Sequence, residues 1–131
     1  MRPWIVGNRT CFLPFGVFQN PTAPYPIWPS EMARDYPNTT FEATDIADVF
    51  RKNDVPENIT FTIANTLKGL PFPDDHFDYI FQRCMLMSFS VREWNIAINE
   101  LMRVLKPGGF LELGKFLSLL VGNFIRKLIY P

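Results

Sequence analysis

The sequence predicts an α/β domain built on a mostly parallel sheet, and two observations favour this fold. Residues 69–114 contain, in order, a turn, an apolar strand, a loop, a capped amphipathic helix, a Gly-Gly turn and a second strand. A helix that connects two strands in this way makes them parallel. Apolar and polar residues alternate along 59–63, which is the period of a strand. Sheets of this kind bind ligands beyond the carboxyl ends of their strands.

The composition divides the chain into three parts. Residues 1–29 hold six of the twelve prolines, and we expect them to be irregular because proline lacks a backbone N–H and fixes φ. Residues 30–114 have the strand and helix patterns of the α/β domain. Residues 115–131 place apolar side chains at helical spacing, which predicts a C-terminal amphipathic helix.

Within the α/β domain, two short helices are expected. Ser30 can cap a helix over 31–36 that Pro37 ends, and another helix is predicted near 49–52. Period-two alternation and buried-strand composition predict the strands. They are expected at 40–44, 59–63, 77–82 and 110–113.

The best-defined helix is predicted over 91–105. Ser90 and Glu93 form an S-x-x-E capping box at its start, in which each side chain can satisfy a backbone N–H of the other residue. Pro107-Gly108-Gly109 is expected to end the helix and turn the chain into the last strand. The apolar face should pack on the sheet. The side chains expected to be buried there are Trp94, Ile98, Leu101 and Leu105.

The composition also excludes several classes of function. Lys plus Arg and Asp plus Glu are 13 each, so the chain has no electrostatic footprint for a nucleic acid. Two distant cysteines and one histidine predict neither a disulfide framework nor a zinc site. The longest apolar tract, 116–130, is too short for a membrane span. We therefore expect a soluble, cytoplasmic protein without a nucleic-acid partner.

Polar residues that follow predicted strands are candidates for a nucleoside site. A carboxylate at Asp45 can accept hydrogen bonds from both ribose hydroxyls of a nucleoside cofactor. The Asn65 amide, after the next strand, can both donate to and accept from an adenine edge. Spacing alone favours structural roles for both, Asp45 as a helix cap and Asn65 as a turn residue. His76 lies in proline-rich turn chemistry and is expected to be structural.

A resemblance to a known family adds to this interpretation. Residues 31–50, 59–83 and 98–113 read EMARDYPNTTFEATDIADVF, ITFTIANTLKGLPFPDDHFDYIFQR and INELMRVLKPGGFLEL. These pieces resemble class I S-adenosylmethionine (SAM)-dependent methyltransferases, particularly the methyltransferase type 11 group and its fungal small-molecule relatives. The succession of LPFPDDHFDYI and LMRVLKPGG is the most specific part. The resemblance implies a partial Rossmann-like sheet, SAM as cofactor and a small-molecule methyl acceptor.

The same resemblance implies roles for individual residues. Asp45 would bind the SAM ribose, and Asn65 with Thr66 and Leu67 would frame the adenine. Arg83, just past the strand at 77–82, would line the pocket near the methionine end or the acceptor. No catalytic base and no metal ligand is assigned, because aligning the acceptor with the sulfonium methyl can carry much of the reaction.

Two parts of the family pattern are unmatched. The family's central first strand and its glycine-rich loop would precede residue 31, where the chain reads QNPTAPYPIWPS, and no glycine lies between Gly16 and Gly69. Ile5-Val6-Gly7 is a conceivable strand with the wrong spacing. The family's strands beyond Leu113 are also unmatched. We therefore expect a truncated methyltransferase that binds SAM poorly and is weakly active or inactive alone.

Two alternatives remain open. The chain could be a non-catalytic methyltransferase-like remnant that binds a protein partner through exposed sheet edges or the C-terminal helix. It could also be part of a nicotinamide-dependent oxidoreductase, since Asp45 would serve that ribose equally well. The G-x-G-x-x-G expected about 20 residues before such a carboxylate is missing, which disfavours the second alternative.

Overall fold

The structure, a computed structural model, describes residues 10–14, 27–48, 53–82 and 89–113. Strands, α-helices and one 3₁₀ helix alternate along these residues. In chain order they are β1 (Thr10–Pro14), α1 (Ile27–Asp35), β2 (Thr40–Asp45), β3 (Ile59–Ile63), a 3₁₀ helix (Thr66–Lys68), β4 (Phe77–Gln82), α2 (Val91–Val104) and β5 (Leu105–Leu113).

The described strands form a single parallel sheet in the order β3-β2-β1-β4-β5. From the central β1 the chain first builds outward through β2 and β3. It then returns to the other side of β1 for β4 and β5. The space between β1 and β4 is therefore a topological switch point, where doubly wound sheets bind ligands beyond the carboxyl ends of their strands. The predicted α/β fold with a mostly parallel sheet is confirmed.

Strand β1 shows that the prediction for residues 1–29 is wrong at Thr10–Pro14. This segment is not irregular, and it supplies the central strand that the sequence was expected to lack. It pairs with β2 from Thr10↔Thr40 to Pro14↔Thr44 and with β4 through Cys11↔Tyr79. Strands β2 and β4 therefore flank β1 and both pair with it. Ile5-Val6-Gly7 lies outside the described residues.

Helix α1 also begins earlier than predicted, at Ile27. Pro29 lies in its first turn, where a missing backbone N–H leaves no intrahelical hydrogen bond unmade. Ser30 is buried inside the helix, so the prediction that it caps the helix is wrong. The predicted helices at 49–52 and 115–131 lie outside the described residues.

Helix α2 follows its prediction closely. Ser90 Oγ accepts a hydrogen bond from the Glu93 backbone N at 3.3 Å, and Glu93 Oε2 accepts one from the Ser90 backbone N at 2.8 Å. The capping box is therefore confirmed. Ile98 and Leu101 are buried as expected, whereas Trp94 is only half-buried.

Strand β5 begins directly at Leu105 and not at residue 110. Pro107-Gly108-Gly109 lies within the strand and makes an irregularity in its register, because Phe77 pairs with Leu105 while Tyr79 pairs with Phe110. Gly108 has φ +78°, which favours glycine. The segment therefore ends the helix as predicted, but it forms a bulged part of the strand where a separate turn was expected.

The two helices cover opposite faces of the sheet. Successive side chains of a strand point to opposite faces, and β4 shows this alternation in its packing. Tyr79 and Phe81 pack in one cluster with Met32 and Ala33 of α1. Ile80, between them, packs in another cluster with residues of α2. The α2 side of that cluster consists of Leu101 and Val104, with Leu105 following at the start of β5.

Candidate functional site

The candidate residues on β2 and after β3 lie at the same edge of the sheet. Asp45 is the last residue of β2 and pairs in register with Ile63, the last residue of β3. The backbone N of Ala64 donates to the Asp45 carbonyl oxygen at 2.9 Å and continues the ladder one step further. Asn65 follows directly. The structure thus brings Asp45 and Asn65 together at the carboxyl ends of neighbouring strands, as the sequence predicts.

The Asp45 carboxylate is enclosed by the protein, with only 3% of the residue exposed. Its Oδ1 accepts a hydrogen bond from the Ala47 backbone N at 3.0 Å and so holds the turn after β2. Burial raises the pKa of this carboxyl, against the opposing effect of the Ala47 and Ile46 backbone N–H groups. Asp45 therefore holds a turn after β2, whereas spacing favoured a role as a helix cap; residues 46–48 are not helical. An ionised carboxyl still has acceptor capacity beyond this one bond.

Asn65 has a structural role in this structure. It is the N-cap of the 3₁₀ helix, and its Oδ1 accepts a hydrogen bond from the Leu67 backbone N at 2.9 Å. The side-chain oxygen is thus engaged in the cap. The two N–H donors of the amide are the groups with which Asn65 could read a ligand. Thr66 and Leu67 lie half-buried in the same short helix.

Two apolar side chains adjoin Asp45 and are unusually exposed. Ile46 follows it in sequence and Ile63 pairs with it in register, and 57% of each residue is exposed to solvent. Exposed isoleucines beside a buried carboxylate provide an apolar surface next to a polar one. That combination suits a ligand with a flat aromatic ring and a hydroxylated sugar.

Gln82 is a polar residue at this edge that the sequence reasoning missed. It ends β4, is 3% exposed, and its Oε1 has no hydrogen-bond partner in the part of the chain that the structure describes. The signal was available, because a glutamine that ends an otherwise apolar strand is unusual for a buried sheet. Arg83, the neighbour that was predicted for the site, lies outside the described residues.

The opposite edge of the sheet holds His76. It precedes β4, its ring contacts those of Phe72 and Phe77, and its backbone N donates to the Val104 carbonyl oxygen at 2.9 Å. This position is at the amino end of the strands, away from Asp45, and agrees with the structural role expected for His76.

The described residues show no metal centre and no membrane span. Within 10–14, 27–48, 53–82 and 89–113, no group of three His, Cys, Asp or Glu side chains is placed to hold a metal ion. In the same ranges, no helix has the length and apolar character needed to cross a membrane.

A doubly wound parallel sheet in the order β3-β2-β1-β4-β5 is the architecture of Rossmann-like domains. A family model described as "Methyltransferase domain" matches residues 30–113. The chain belongs to this family, and its resemblance to class I SAM-dependent methyltransferases is confirmed. The match decides against the nicotinamide-dependent alternative.

Curated relatives agree with this assignment. The chain is 29% identical over 89 residues to the secondary metabolism regulator laeA of Coprinopsis cinerea, covering 68% of this chain and 22% of that protein. It is 41% identical over 69 residues to the ubiquinone/menaquinone biosynthesis C-methyltransferase UbiE of Pectobacterium carotovorum, covering 50% and 25% respectively. The chain thus spans about a quarter of the length of these relatives.

Solved structures share the fold. Phosphoethanolamine N-methyltransferase 1 of Haemonchus contortus, in complex with phosphoethanolamine and S-adenosylhomocysteine (SAH), superposes with a TM-score of 0.64 at 20% identity. The similarity covers 82% of this chain and 22% of that one. A SAM-dependent methyltransferase from Aquifex aeolicus also gives a TM-score of 0.64, at 17% identity, covering 85% and 59%. These likenesses support the Rossmann-like fold.

Proposed function

We propose that this chain binds SAM at the carboxyl edge of its sheet and belongs to a methyltransferase that acts on a small-molecule acceptor. One observation carries the proposal. A buried carboxylate, Asp45, ends β2 directly beside the central strand, in a domain that belongs to the methyltransferase family. Family membership supports SAM as the cofactor. The SAH and phosphoethanolamine named with the Haemonchus structure support this cofactor and the class of acceptor.

Each residue of the predicted site has a proposed role. The Asp45 carboxylate accepts hydrogen bonds from the ribose hydroxyls, which compensate the desolvation that burial imposes on it. Ile46 and Ile63 provide apolar surface for the adenine ring. Asn65 offers its amide N–H donors to the adenine, and the short helix of Thr66 and Leu67 supports that edge. Arg83 is proposed to line the pocket near the methionine end or the acceptor.

The reaction requires little acid–base chemistry from the protein. SAM, when bound, would supply a methyl group on a positively charged sulfur. An acceptor nucleophile would bond to the methyl carbon, and the sulfur would leave as the neutral thioether of SAH. The protein's part is to hold the two reactants in line and to exclude water. This agrees with the absence of an assigned catalytic base in the predicted site.

The expected level of activity now depends on one feature of the sequence. The central strand is present, so its absence is no longer a reason to expect weak activity. Residues 15–26, which follow β1, contain Gly16 as their single glycine and three prolines, which have no N–H to offer a ligand. We therefore still propose weak or no turnover by this chain alone.

A cytoplasmic location also remains a proposal.

The proposal is tested by calorimetric titration of the 131-residue protein with SAM, SAH and NAD. We expect heat of binding from SAM and SAH and none from NAD. Binding of NAD without binding of SAM would overturn the assignment of the cofactor. Efficient methyl transfer to a small-molecule acceptor would overturn the proposal of weak activity and leave the assignment of the cofactor intact.

A further inference from the structure

Both backbone polar groups of Leu70 are held by side chains of α2. Its N–H donates to Glu100 Oε1 at 2.6 Å, and its carbonyl oxygen accepts from Arg103 Nη2 at 3.1 Å. The Glu100 side chain is only 15% exposed, and Arg103 donates to both of its oxygens, at 2.9 and 2.6 Å. A largely buried carboxylate is stable when it is paired in this way, so Glu100 is fixed in place to receive the Leu70 N–H.

Leu70 is one of two fixed ends of the segment 65–69. The other end is Ala64, whose backbone N donates to the Asp45 carbonyl oxygen at 2.9 Å. Between these ends lie the 3₁₀ helix and its cap Asn65, which are proposed to meet the adenine ring. The loop that contains them runs from the carboxyl end of β3 to the amino end of β4. The position of the segment relative to Asp45 therefore depends on both of its ends.

Gly69 makes the end at Leu70 important. It directly precedes Leu70 and has φ +95°, a conformation that favours glycine. Because glycine has more accessible backbone conformations than other residues, this joint leaves the direction of the 3₁₀ helix open unless the next residue is fixed. The Leu70 side chain is buried with Phe77 and Leu101. The hydrogen bond to Glu100 adds a fixed orientation of the peptide group between Gly69 and Leu70.

We propose that Glu100 is a positioning residue for the cofactor's adenine ring, which it aligns through its hydrogen bond to the Leu70 backbone. The inference rests on the proposed function, because it takes the base to lie against Asn65 and the 3₁₀ helix. Glu100 acts without touching the cofactor. By fixing Leu70, it sets the position of the donors that meet the base relative to Asp45, which is proposed to hold the ribose.

The test compares SAH with S-inosylhomocysteine, in which a carbonyl replaces the adenine amino group. This exchange turns the neighbouring ring nitrogen from an acceptor into a donor, so an N–H group aligned for adenine faces another donor. In calorimetric titration of the wild type, SAH should bind about tenfold more tightly, the effect of one hydrogen bond to the base.

Two conservative variants separate the reach of Glu100 from its charge. Glu100→Asp keeps the charge beside Arg103, but its side chain is one methylene shorter and should not reach the Leu70 N–H. Its preference for SAH should fall to about threefold or less, because the donors that meet the base are no longer held in place. Glu100→Gln keeps the length and an acceptor oxygen, and it should retain the wild-type preference.

Asn58→Ala is the control for a general loss of stability. The Asn58 amide also joins distant segments, but its three hydrogen bonds go to α1 and to the turn before β2, and not to the segment 65–69. This variant should therefore unfold at a lower temperature than the wild type and keep the wild-type preference for SAH.

Each result decides the question. An undiminished preference in Glu100→Asp would show that Glu100 only stabilises the fold. An equal loss in Glu100→Gln would assign the effect to the charge beside Arg103, and a loss in Asn58→Ala would assign it to general loosening. Each of these results overturns the inference and leaves SAH binding by the chain in place, as would equal binding of the two ligands by the wild type.

A wild type that binds neither ligand would overturn the proposed function as well. If Glu100→Asp does not fold, Glu100→Met takes its place with the same expectation, because it matches Glu100→Gln in size and lacks the acceptor oxygen.

Discussion

The amino ends of the strands form one edge of the sheet (the amino edge), and their carboxyl ends form the other (the carboxyl edge). The two differ in how fully their buried polar side chains are hydrogen-bonded. At the amino edge, before β3, Asn58 Nδ2 donates to the carbonyl oxygens of Ala33, Tyr36 and Thr39 at 2.8, 3.1 and 2.9 Å. This one amide ties the end of α1 and the start of β2 to β3. At the carboxyl edge, by contrast, the Gln82 oxygen is buried without a partner within the described residues.

Arg103 is the second centre of hydrogen bonding at the amino edge. Its Nη1 donates to the Phe72 carbonyl at 2.9 Å and to Asp74 Oδ1 at 2.7 Å. Its Nη2 donates to the Leu70 carbonyl at 3.1 Å and to Glu100 Oε1 at 2.6 Å. The guanidinium therefore fixes the turn before β4 to the last turn of α2. Arginine suits this position because its donors have a fixed planar geometry.

Two acidic residues show the same contrast between the edges. The Arg103 guanidinium holds the pKa of Glu100 below its ordinary value, whereas burial holds the pKa of Asp45 above it. A protein optimised for stability alone would hydrogen-bond the buried polar groups at both edges. Departures from that rule are expected where a ligand binds, so we expect the amino edge to serve stability and propose that the carboxyl edge serves binding.

The largest effect on stability is expected at the amino-edge core. Leu101 is fully buried between α2 and the sheet, among Leu70, Phe77 and Val104. Leu101→Ala should lower the free energy of unfolding by about 2–5 kcal/mol, measured by denaturant titration. Val91→Ala, at an 85% exposed position of the same helix, is the control and should change it by less than about 0.5 kcal/mol. An unchanged midpoint in Leu101→Ala would contradict the role of α2 as the core crossover.

Loss of the Asn58 amide should have the next largest effect. Asn58→Ala leaves three carbonyl oxygens without this donor and should lower the free energy of unfolding by about 2 kcal/mol. Asn95→Ala, which removes an amide from the exposed face of α2, is the matched control. Affinity for SAH should not change in the folded protein. A parallel loss of affinity would break the separation between the two edges.

Arg103→Met should have a smaller effect, about 1–2 kcal/mol, because the guanidinium is partly exposed. It should also change the pH dependence. A carboxyl with a lowered folded-state pKa contributes stability above its ordinary value of 4.5 and loses it as the pH falls through the folded-state pKa. Denaturation at a series of acidic pH values should therefore show a smaller acid loss in Arg103→Met than in the wild type. An identical acid loss would contradict the proposed clamp on Glu100.

The smallest stability effect is expected at Asp45, with the opposite sign. Burial raises the pKa of its carboxyl, so the folded state holds this proton more tightly than the unfolded state. Its contribution to stability is therefore largest at acidic pH and falls as the pH rises through the folded-state pKa. Asp45→Asn has no carboxyl group that ionises, so its stability does not fall in this way as the pH rises. The variant should therefore unfold at a slightly higher temperature than the wild type at pH 7. A lower melting temperature at pH 7 would place Asp45 among the residues that stabilise the fold.

Much of the fold could be predicted from local signals. The strands at 59–63 and 77–82 have the predicted bounds, because alternation or an aromatic-rich apolar run fixes them within a few residues. The capping box located the start of α2 for the same reason. Strand β1 was missed because its apolar run is only three residues long, Cys11, Phe12 and Leu13, which is too short to show a strand period. The segment around it is also rich in proline. Its hydrogen bonds come from β2 and β4, which are distant in sequence.

The candidate site was predictable only in part. Asp45 and Asn65 followed from the rule that parallel strands place their carboxyl ends at one edge. The engagement of the Asn65 oxygen in a cap depends on the local backbone, which the sequence pattern did not reveal. Gln82 was missed although a glutamine at the end of an apolar strand is unusual, whereas the missing partner of its oxygen is a property of the packed structure that no sequence pattern shows.

Whether the carboxyl edge serves binding and not stability is decided by SAH titration of Asp45→Asn at pH 7. The substitution keeps size and shape and removes the charge that the ribose hydroxyls would meet. We expect a loss of about 1.5–3 kcal/mol of binding free energy, roughly tenfold to a hundredfold in Kd, in a protein at least as stable as the wild type. Equal SAH affinity in the two proteins would show that the Asp45 charge contributes nothing to binding, and would leave Asp45 as the residue that holds the turn after β2.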